Sequence, residues 1–360
     1  MRTATRIALN AYTSQIAILS SVPSAMEKFS VDPTIAQKLE QKTQESSQFL
    51  SLINFETVFQ QEGEKVGIGV TTPIASRTDT DDAGPDGERK TIDPTGLTKT
   101  TFRCEQTNWD THLKYSKLDA WAHKPEFQTI VRDSIVGQQG LDRMMIGWNG
   151  THVAKPTNKV NFPLLQDVNK GWIQNTREDA PARVMSDGAH SGDKKAANHE
   201  PAIYVSASGD ADYVNLDALV FDAIQLLEPQ HRRRTDLIVL VSDELVHDKK
   251  FALVNAAGDK ATEQIARDVL LLQDKLGGKL AAVVPNFPEG TIVITTYKNL
   301  SIYNQDGTLR RAIIDNPRRD RVENFESLNE AYVVEDYGLI AIVENIVSEA
   351  APEAEDAPGA

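Results

Sequence analysis

Residues 125–148 read PEFQTIVRDSIVGQQGLDRMMIGW, and the spacing of their apolar side chains decides how the rest of the chain is arranged. Phe127, Ile130, Val131, Ile135, Leu141, Met144, Met145 and Trp148 recur at intervals of three, four and seven, the period of one helical stripe. The predicted helix has about six turns, longer than the average globular helix. Such a helix needs a body to lie across. Gly137 and Gly140 fall inside it; each costs about 1 kcal/mol in helix propensity, which tight packing or a bend must recover. The chain before it is open, polar and Gly-rich, and the chain after it alternates helix and strand. The helix therefore reads as a strut between the two.

On the N-terminal side, residues 101–115 have strand character, with Phe102, Cys104, Leu113 and Tyr115 as core candidates and a polar break at 105–108. A short helical turn follows at 118–121. Residues 56–101 are different: one strand-like run, KVGIGVT at 65–71, lies among Gly63, Gly67, Gly69, Gly84, Gly87 and Gly96, with an acidic turn, DTDDAGPDGE, at 79–88. Too few apolar groups are present to make a core, so the stretch is expected as a long hairpin laid over a neighbour. The Asp32-Pro33 pair starts a helix, with an acid at the N-cap and Pro at the first position. Ile35, Leu39, Phe49, Leu50 and Ile53 carry it to about residue 53 across the polar QKTQESSQ.

Residues 1–29 hold Arg2, Arg6 and Lys28 against the single acid Glu27. A signal or transit peptide shares this composition, yet Asn10, Thr13, Ser14 and Gln15 interrupt every apolar run. Leu9, Tyr12, Ile16 and Leu19 fit one helical face, which favours a short amphipathic helix that docks on a partner.

Beyond the strut, Asn149-Gly150 stops the helix. Residues 161–185 have mixed periodicity with a short helix over 165–174, and 186–201 read as a surface loop. The best-patterned body spans 212–285. Leu216, Leu219, Val220, Ala223, Ile224 and Leu227 form a helix face closed by Pro229; DLIVLVS (236–242) is a buried strand. Helices at 243–251 and 263–276 and a strand at 279–284 complete a small helix-covered sheet. Strands return at 291–295, 300–303, 309–314, 330–335 and 338–343, with Gln305-Asp306-Gly307 as a hairpin turn. After Val347 the tail is acidic and Ala/Pro-rich, and reads as disordered.

Composition narrows the function classes. The 360 residues are 40% hydrophobic and 25% charged, the profile of a folded soluble protein of two or three lobes. A formal charge of -14 argues against nonspecific nucleic-acid binding. One cysteine, Cys104, leaves no disulfide framework or cysteine-cluster metal site and reads as a buried small hydrophobe. No run reaches the 18 apolar residues of a membrane span.

None of the seven histidines forms a ligand pair at i,i+4, and Pro201 breaks the helix that His199-Glu200 would need. Gly67 and Gly69 are followed by no helix that could present amides to a phosphate. Ser242 at the end of a strand, with Asp243, Glu244 and His247 close by, imitates a hydrolase site, but Ser242 is more simply an N-cap. No catalytic, metal or cofactor-binding group is predicted. Two basic clusters, Arg232, Arg233 and Arg234 and, farther on, Arg318, Arg319 and Arg321, lack interleaved aromatics and read as intersubunit ion-pair residues. Asn149 and Asn299 head sequons that read as chance. With chemistry absent and extended elements plentiful, the chain reads as a building block.

A set of runs in chain order gives that reading a family. They are NAYTSQIA (10–17), QESSQFLSLIN (44–54), GEKVGIGVT (63–71), ASRTDT (75–80), LDAWAH (118–123), LLQDVNKGWIQ (164–174), DAPARVM (179–185), LDALVFDA (216–223), NLSIYNQDGTLRR (299–311) and DRVENFESLNEAYVVEDY (320–337). The chain resembles the major capsid proteins of temperate contractile-tailed phages of the Peduovirus type, from residue 1 to about 346. That resemblance implies an α+β Hong Kong 97-type coat fold: an N-terminal arm (30–55), an extended loop (56–101), a peripheral domain (102–209 with the spine helix at 125–148, returning at 286–347), an axial domain (210–285) and an acidic tail (348–360). It further implies hexamers and pentamers closing an icosahedral shell around double-stranded DNA, an internal scaffolding protein carrying the maturation protease, and a portal protein at one vertex. By the same resemblance residues 1–29 are removed by cleavage between Phe29 and Ser30, discarding two net positive charges. No lysine–asparagine crosslink is expected. Two other readings stay open on sequence: an α/β hydrolase-like enzyme built on Ser242 and His247, and an encapsulin-like compartment shell.

Overall fold

The computed structural model describes all residues except 1, 21, 32, 46, 71–74, 76, 78–88, 90–94, 122–126, 193–198, 208, 256–274 and 351–360. The chain opens with helix α1 (Thr3–Leu19) and a two-residue strand β1 (Phe29–Ser30). The helix expected from residue 33 to 53 is two helices, α2 (Pro33–Glu45) and α3 (Gln48–Leu52), because Ser47 takes an extended backbone at φ -138°, ψ 137°. Strands β2 (Asn54–Val58), β3 (Glu62–Val70), β4 (Thr95–Arg103), β5 (Glu105–Asn108) and β6 (Thr111–Lys114) follow, then α4 (Tyr115–Trp121) and the long helix α5 (Phe127–Asn149).

The predicted stripe of α5 holds in part: Met144 and Trp148 are buried and Ile135 and Met145 half-buried, but Leu141 stays 39% exposed, and Val136, Gln139, Arg143 and Ile146 join the inner face. The side chains of Phe127, Ile130 and Val131 lie outside the described residues. An arginine and a glutamine take places on the inner face, so a purely apolar stripe misjudges the rotation of the helix. A Cβ on Gly137 would meet nothing within 4 Å, so close packing does not explain that glycine. Gly147 does have a packing reason: its Cβ would fall 2.3 Å from the Trp172 ring, and one on Gly171 would fall 2.3 Å from the Gly147 carbonyl oxygen. The helix end and the segment after it thus interlock backbone to backbone.

That segment holds α6 (Trp172–Asp179), not a helix over 165–174. Leu165 sits at φ 57°, in the left-handed region where a helix cannot run through a leucine. Next come β7 (Val184–Met185), β8 (Ile203–Tyr204), α7 (Leu216–Ala223), β9 (Ile238–Val241) and α8 (Asp243–Asn255). The helix expected at 263–276 lies outside the described residues, save that Lys275–Leu276 forms strand β10. The chain ends with β11 (Lys279–Val283), β12 (Ile292–Thr295), β13 (Leu300–Gln305), β14 (Arg310–Asn316), β15 (Arg321–Val334), β16 (Ala341–Val343) and β17 (Ile346–Val347).

Two main sheets result. The first is built on β15, whose 14 residues pair antiparallel on both edges. On one edge lie β6 and β5; on the other, β14 faces its first half and β13 its second. Gln305-Asp306-Gly307 therefore does not close a hairpin. It is a detour that passes the chain from one partner of the β15 edge to the next, with Gly307 supplying φ 70°. β2 extends β13 in parallel and β1 extends β14. The second sheet runs β10-β11-β9-β12-β16-β7 and joins strands from both sides of residue 285.

The central strands of the second sheet, β9, β12 and β16, are buried on both faces, with side chains alternating as the pleat requires. Ile238, Leu240, Val293 and Ile342 face a core shared with α3, α5, α6 and the first sheet. Val239, Val241, Ile292, Ile294 and Val343 face a second core under α7. The aromatic centre of the shared core is Trp172, whose ring lies 4.8 Å from Trp148, 5.5 Å from Tyr332 and 6.3 Å from Phe49.

Candidate functional site

Three surfaces answer to the expectation of a building block, and the first is the hairpin β3–β4. Its strands pair only with each other over nine rungs, Glu62↔Arg103 to Val70↔Thr95. The acidic turn at 79–88 lies outside the described residues. The base of the hairpin is fixed to the first sheet: Lys65 pairs with Glu335, which also accepts hydrogen bonds from the Ser301 hydroxyl and, at 3.0 Å, from Tyr303. Phe102 stacks edge-on against Tyr303 at 5.0 Å, and Arg103 bridges Glu62 and Glu105 at 2.9 and 2.8 Å.

Burial pushes the Glu335 carboxyl up, but the hydrogen bonds from Lys65 and Ser301 and the Lys65 charge outweigh it and hold the carboxyl below its usual range. A folded value below the unfolded one means that this latch stabilises above about pH 4–5 and is lost as pH falls through the lower folded value. Amide exchange in β3 and β4, corrected for intrinsic rate, is expected to rise on acidification through that window. In a Glu335→Gln variant it should already be fast near neutral pH; unchanged exchange in the variant would show that the latch does not hold the hairpin.

The second surface is the N-terminal segment. The predicted docking face of Leu9, Tyr12 and Ile16 does bury, but against the chain's own first sheet, in a cluster with Leu113, Leu118, Ile313 and Val322. Polar contacts align it: the Thr5 hydroxyl and Arg2 amide donate to Asp119 at 2.5 and 2.8 Å, and Arg6 pairs with Asp315 at 2.6 Å. Those hydrogen bonds hold the Asp119 carboxyl below its usual range. The Phe29–Ser30 junction is the edge strand β1, paired with Arg311 and Arg310. Ser30 is exposed, while Phe29 is half-buried against Val31, Leu309 and Leu328.

The arginine clusters make the third surface, and they divide. Arg232 donates to the carbonyls of Leu227 and Gln225 at 2.8 and 2.7 Å; Arg234 pairs with Asp236, and Arg321 with Glu323, each at 2.6 Å. Within one chain these three already have partners. Arg233, Arg318 and Arg319 are exposed and, among the described residues, carry no ion pair.

Among the described residues one ion pair is buried, and sequence reasoning missed it. Arg143, on the inner side of α5, bonds Glu330 of β15 through Nε at 2.8 Å and Nη2 at 2.5 Å, with its guanidinium 4.5 Å over the Trp109 ring. Its only sequence signal is a charge at a position that shares the helix face with Met144 and Trp148.

Ser242, Asp243, Glu244, His247 and Glu289 line one open depression, as the hydrolase reading requires, but Ser242 meets no base there. Ser242 is buried with its Oγ unbonded, so it neither caps α8 nor meets a base, and His247 is 73% exposed with Asp248 as its neighbour at 3.7 Å. No group of three or more metal-ligating side chains occurs among the described residues. Cys104 is fully buried, and burial, helped by Glu330 and Glu105, pushes its thiol up to about 12, out of reach of nucleophilic use. No described helix is long and apolar enough to cross a membrane.

A self-paired hairpin latched to a sheet, a long helix across that sheet and a second helix-covered sheet make up the Hong Kong 97-type coat architecture. A chain of the empty GTA particle capsid has this fold at TM-score 0.52 and 14% identity, matched over 84% of this chain and 90% of its own. A chain of the satellite phage P4 procapsid including size determination (Sid) protein matches far more closely, at TM-score 0.78 and 40% identity over 98% of this chain and all of its own. Residues 8–346 match the profile of the phage major capsid protein, P2 family. The capsid proteins of Escherichia phage P2 are 43% identical over 96% of this chain and 95% of the relative; the major capsid protein of Serratia phage KSP20 is 37% identical over 96% and 97%. The chain belongs to the P2 family of phage major capsid proteins. It is a capsid coat protein.

Proposed function

We propose that this chain is the coat subunit of a Peduovirus-type temperate contractile-tailed phage. It assembles in the bacterial host cytoplasm as hexamers and pentamers that close an icosahedral shell, the virion capsid, around double-stranded DNA held without sequence-specific contacts. An internal scaffolding protein with its maturation protease and a portal protein are its partners in assembly. The observation that carries this reading is the near full-length likeness to a procapsid chain. In it the α5 helix is the spine, β3–β4 the extended loop laid over a neighbour, residues 102–209 and 286–347 the peripheral domain and 210–285 the axial domain. Such a hairpin exchanges water for interchain contacts only when a neighbour is present. The protease cuts between Phe29 and Ser30, so α1 is a removable part, and Arg233, Arg318 and Arg319 are the arginines left for intersubunit ion pairs.

The test is co-expression with the cognate scaffolding protein, electron microscopy of the product and sequencing of its N-terminus. Closed shells whose protein begins at Ser30, running as single bands on boiled SDS gels, are expected. Dispersed chains beside a folded scaffold would overturn the assembly reading; an intact Met1 in mature particles would overturn the cleavage, and covalent ladders the absence of crosslinks.

A further inference from the structure

Helix α1 has two apolar faces, and only one of them is used. Leu9 and Ile16 point into the first sheet. Ile7 and Ile18, eleven residues apart, lie within about 20° of each other around the helix and roughly opposite that face. They are 66% and 76% exposed. A helix that had only to lie on its own sheet would be polar there.

Around this ridge a chain of net charge -14 turns basic. Lys114 and Lys117, at the junction of β6 and α4, and Arg318 and Arg319, on the turn between β14 and β15, are exposed and make no salt bridge among the described residues, although the Arg319 charge does reach Glu323. They belong to the same surface as α1: Arg6 bonds Asp315 at that turn, Thr5 bonds Asp119 of α4, and Lys114 pairs with Arg321 across β6 and β15. The acids nearby are mostly engaged, Asp119 by Thr5 and Arg2, Asp315 by Arg6 and Tyr115, Glu323 by Arg321. Asp320, exposed beside the two arginines, is the exception.

We propose that this face docks an acidic amphipathic α-helix of a separate protein, its apolar stripe on Ile7 and Ile18 and its flanking carboxylates over Lys114, Lys117, Arg318 and Arg319. A second copy of this chain fits poorly, because it would bring the same cations to the same place. The inference rests on the assembly reading and gives the chemistry of the internal partner's contact. Since α1 lies in the removable segment, cleavage would destroy half of the site, release that partner and leave Arg318 and Arg319 for the intersubunit ion pairs of the shell.

The probe is a synthetic helix of about 18 residues with a leucine stripe flanked by glutamates, and a twin with lysines in their place. Binding to the full-length chain is read by fluorescence anisotropy. The glutamate peptide is expected to bind, more weakly as salt rises, and at least about tenfold more weakly to Ile7→Gln/Ile18→Gln and to Arg318→Ser/Arg319→Ser chains with unchanged thermal melts. Equal binding of the lysine twin, or wild-type binding by both variants, would overturn the proposal. So would sedimentation showing that Ile7→Gln/Ile18→Gln abolishes a dimer of this chain. Shell formation is scored separately by electron microscopy, so wild-type shells with no peptide binding would sink the docking face and leave the coat function standing.

Discussion

Replacing Glu330 with alanine is expected to destabilise the unassembled chain by about 3–5 kcal/mol, because it strands the Arg143 guanidinium in a dry interior. Arg143 and Glu330 are buried to within a few per cent, with side-chain exposures of 6% and 0%. Burial pushes the Glu330 carboxyl up, with Arg143 pulling against that shift. The remaining contact of Arg143, its position over the Trp109 ring, is worth about 2 kcal/mol when desolvated and cannot replace a carboxylate. A urea midpoint reads the loss. The double variant Arg143→Met/Glu330→Leu removes both charges while keeping apolar volume, and should recover most of the stability. A double variant as unstable as Glu330→Ala would mean that the damage comes from packing rather than from the unpaired charge. The pair joins α5 to the strand on which the first sheet is built, so the single variant should lower shell yield as well.

What the sequence discloses depends on how many faces an element buries. DLIVLVS and TIVIT were legible because β9 and β12 are covered on both faces, which demands an unbroken apolar run. β5 was not: its residues Glu105–Asn108 read as a polar break, and only pairing with β15, more than two hundred residues later, makes them a strand. The first half of β15 was missed for the same reason, its partners β14 and β6 being absent from any local window. The N-terminal docking face was legible from its period, but its receptor was not, since a helical stripe does not say whose surface it covers. Of the arginine clusters, composition showed the positions, and only geometry separated Arg232, Arg234 and Arg321, which are engaged at home, from Arg233, Arg318 and Arg319, which are free to pair elsewhere.

The packing of Gly147 against Trp172 predicts a mutational effect whose sign depends on background. Trp172→Ala alone removes an indole from the meeting of α5, α6 and both sheets, together with the hydrogen bond its Nε1 donates to the Ser301 carbonyl at 3.0 Å. A loss of about 3–5 kcal/mol follows from the cavity. Gly147→Ala alone gains about 1 kcal/mol in helix propensity, yet its Cβ would sit 2.3 Å from the ring. The ring cannot retreat, being fully buried and hydrogen-bonded, so overpacking of about 1–3 kcal/mol is expected to win and the variant to be destabilised. With Trp172 already reduced to alanine the obstacle is gone, and Gly147→Ala should become neutral or stabilising. Urea midpoints of the four chains give the coupling directly. If Gly147→Ala costs the same in both backgrounds, the helix and the ring are not a fitted pair, and α5 is held in place by something other than this contact.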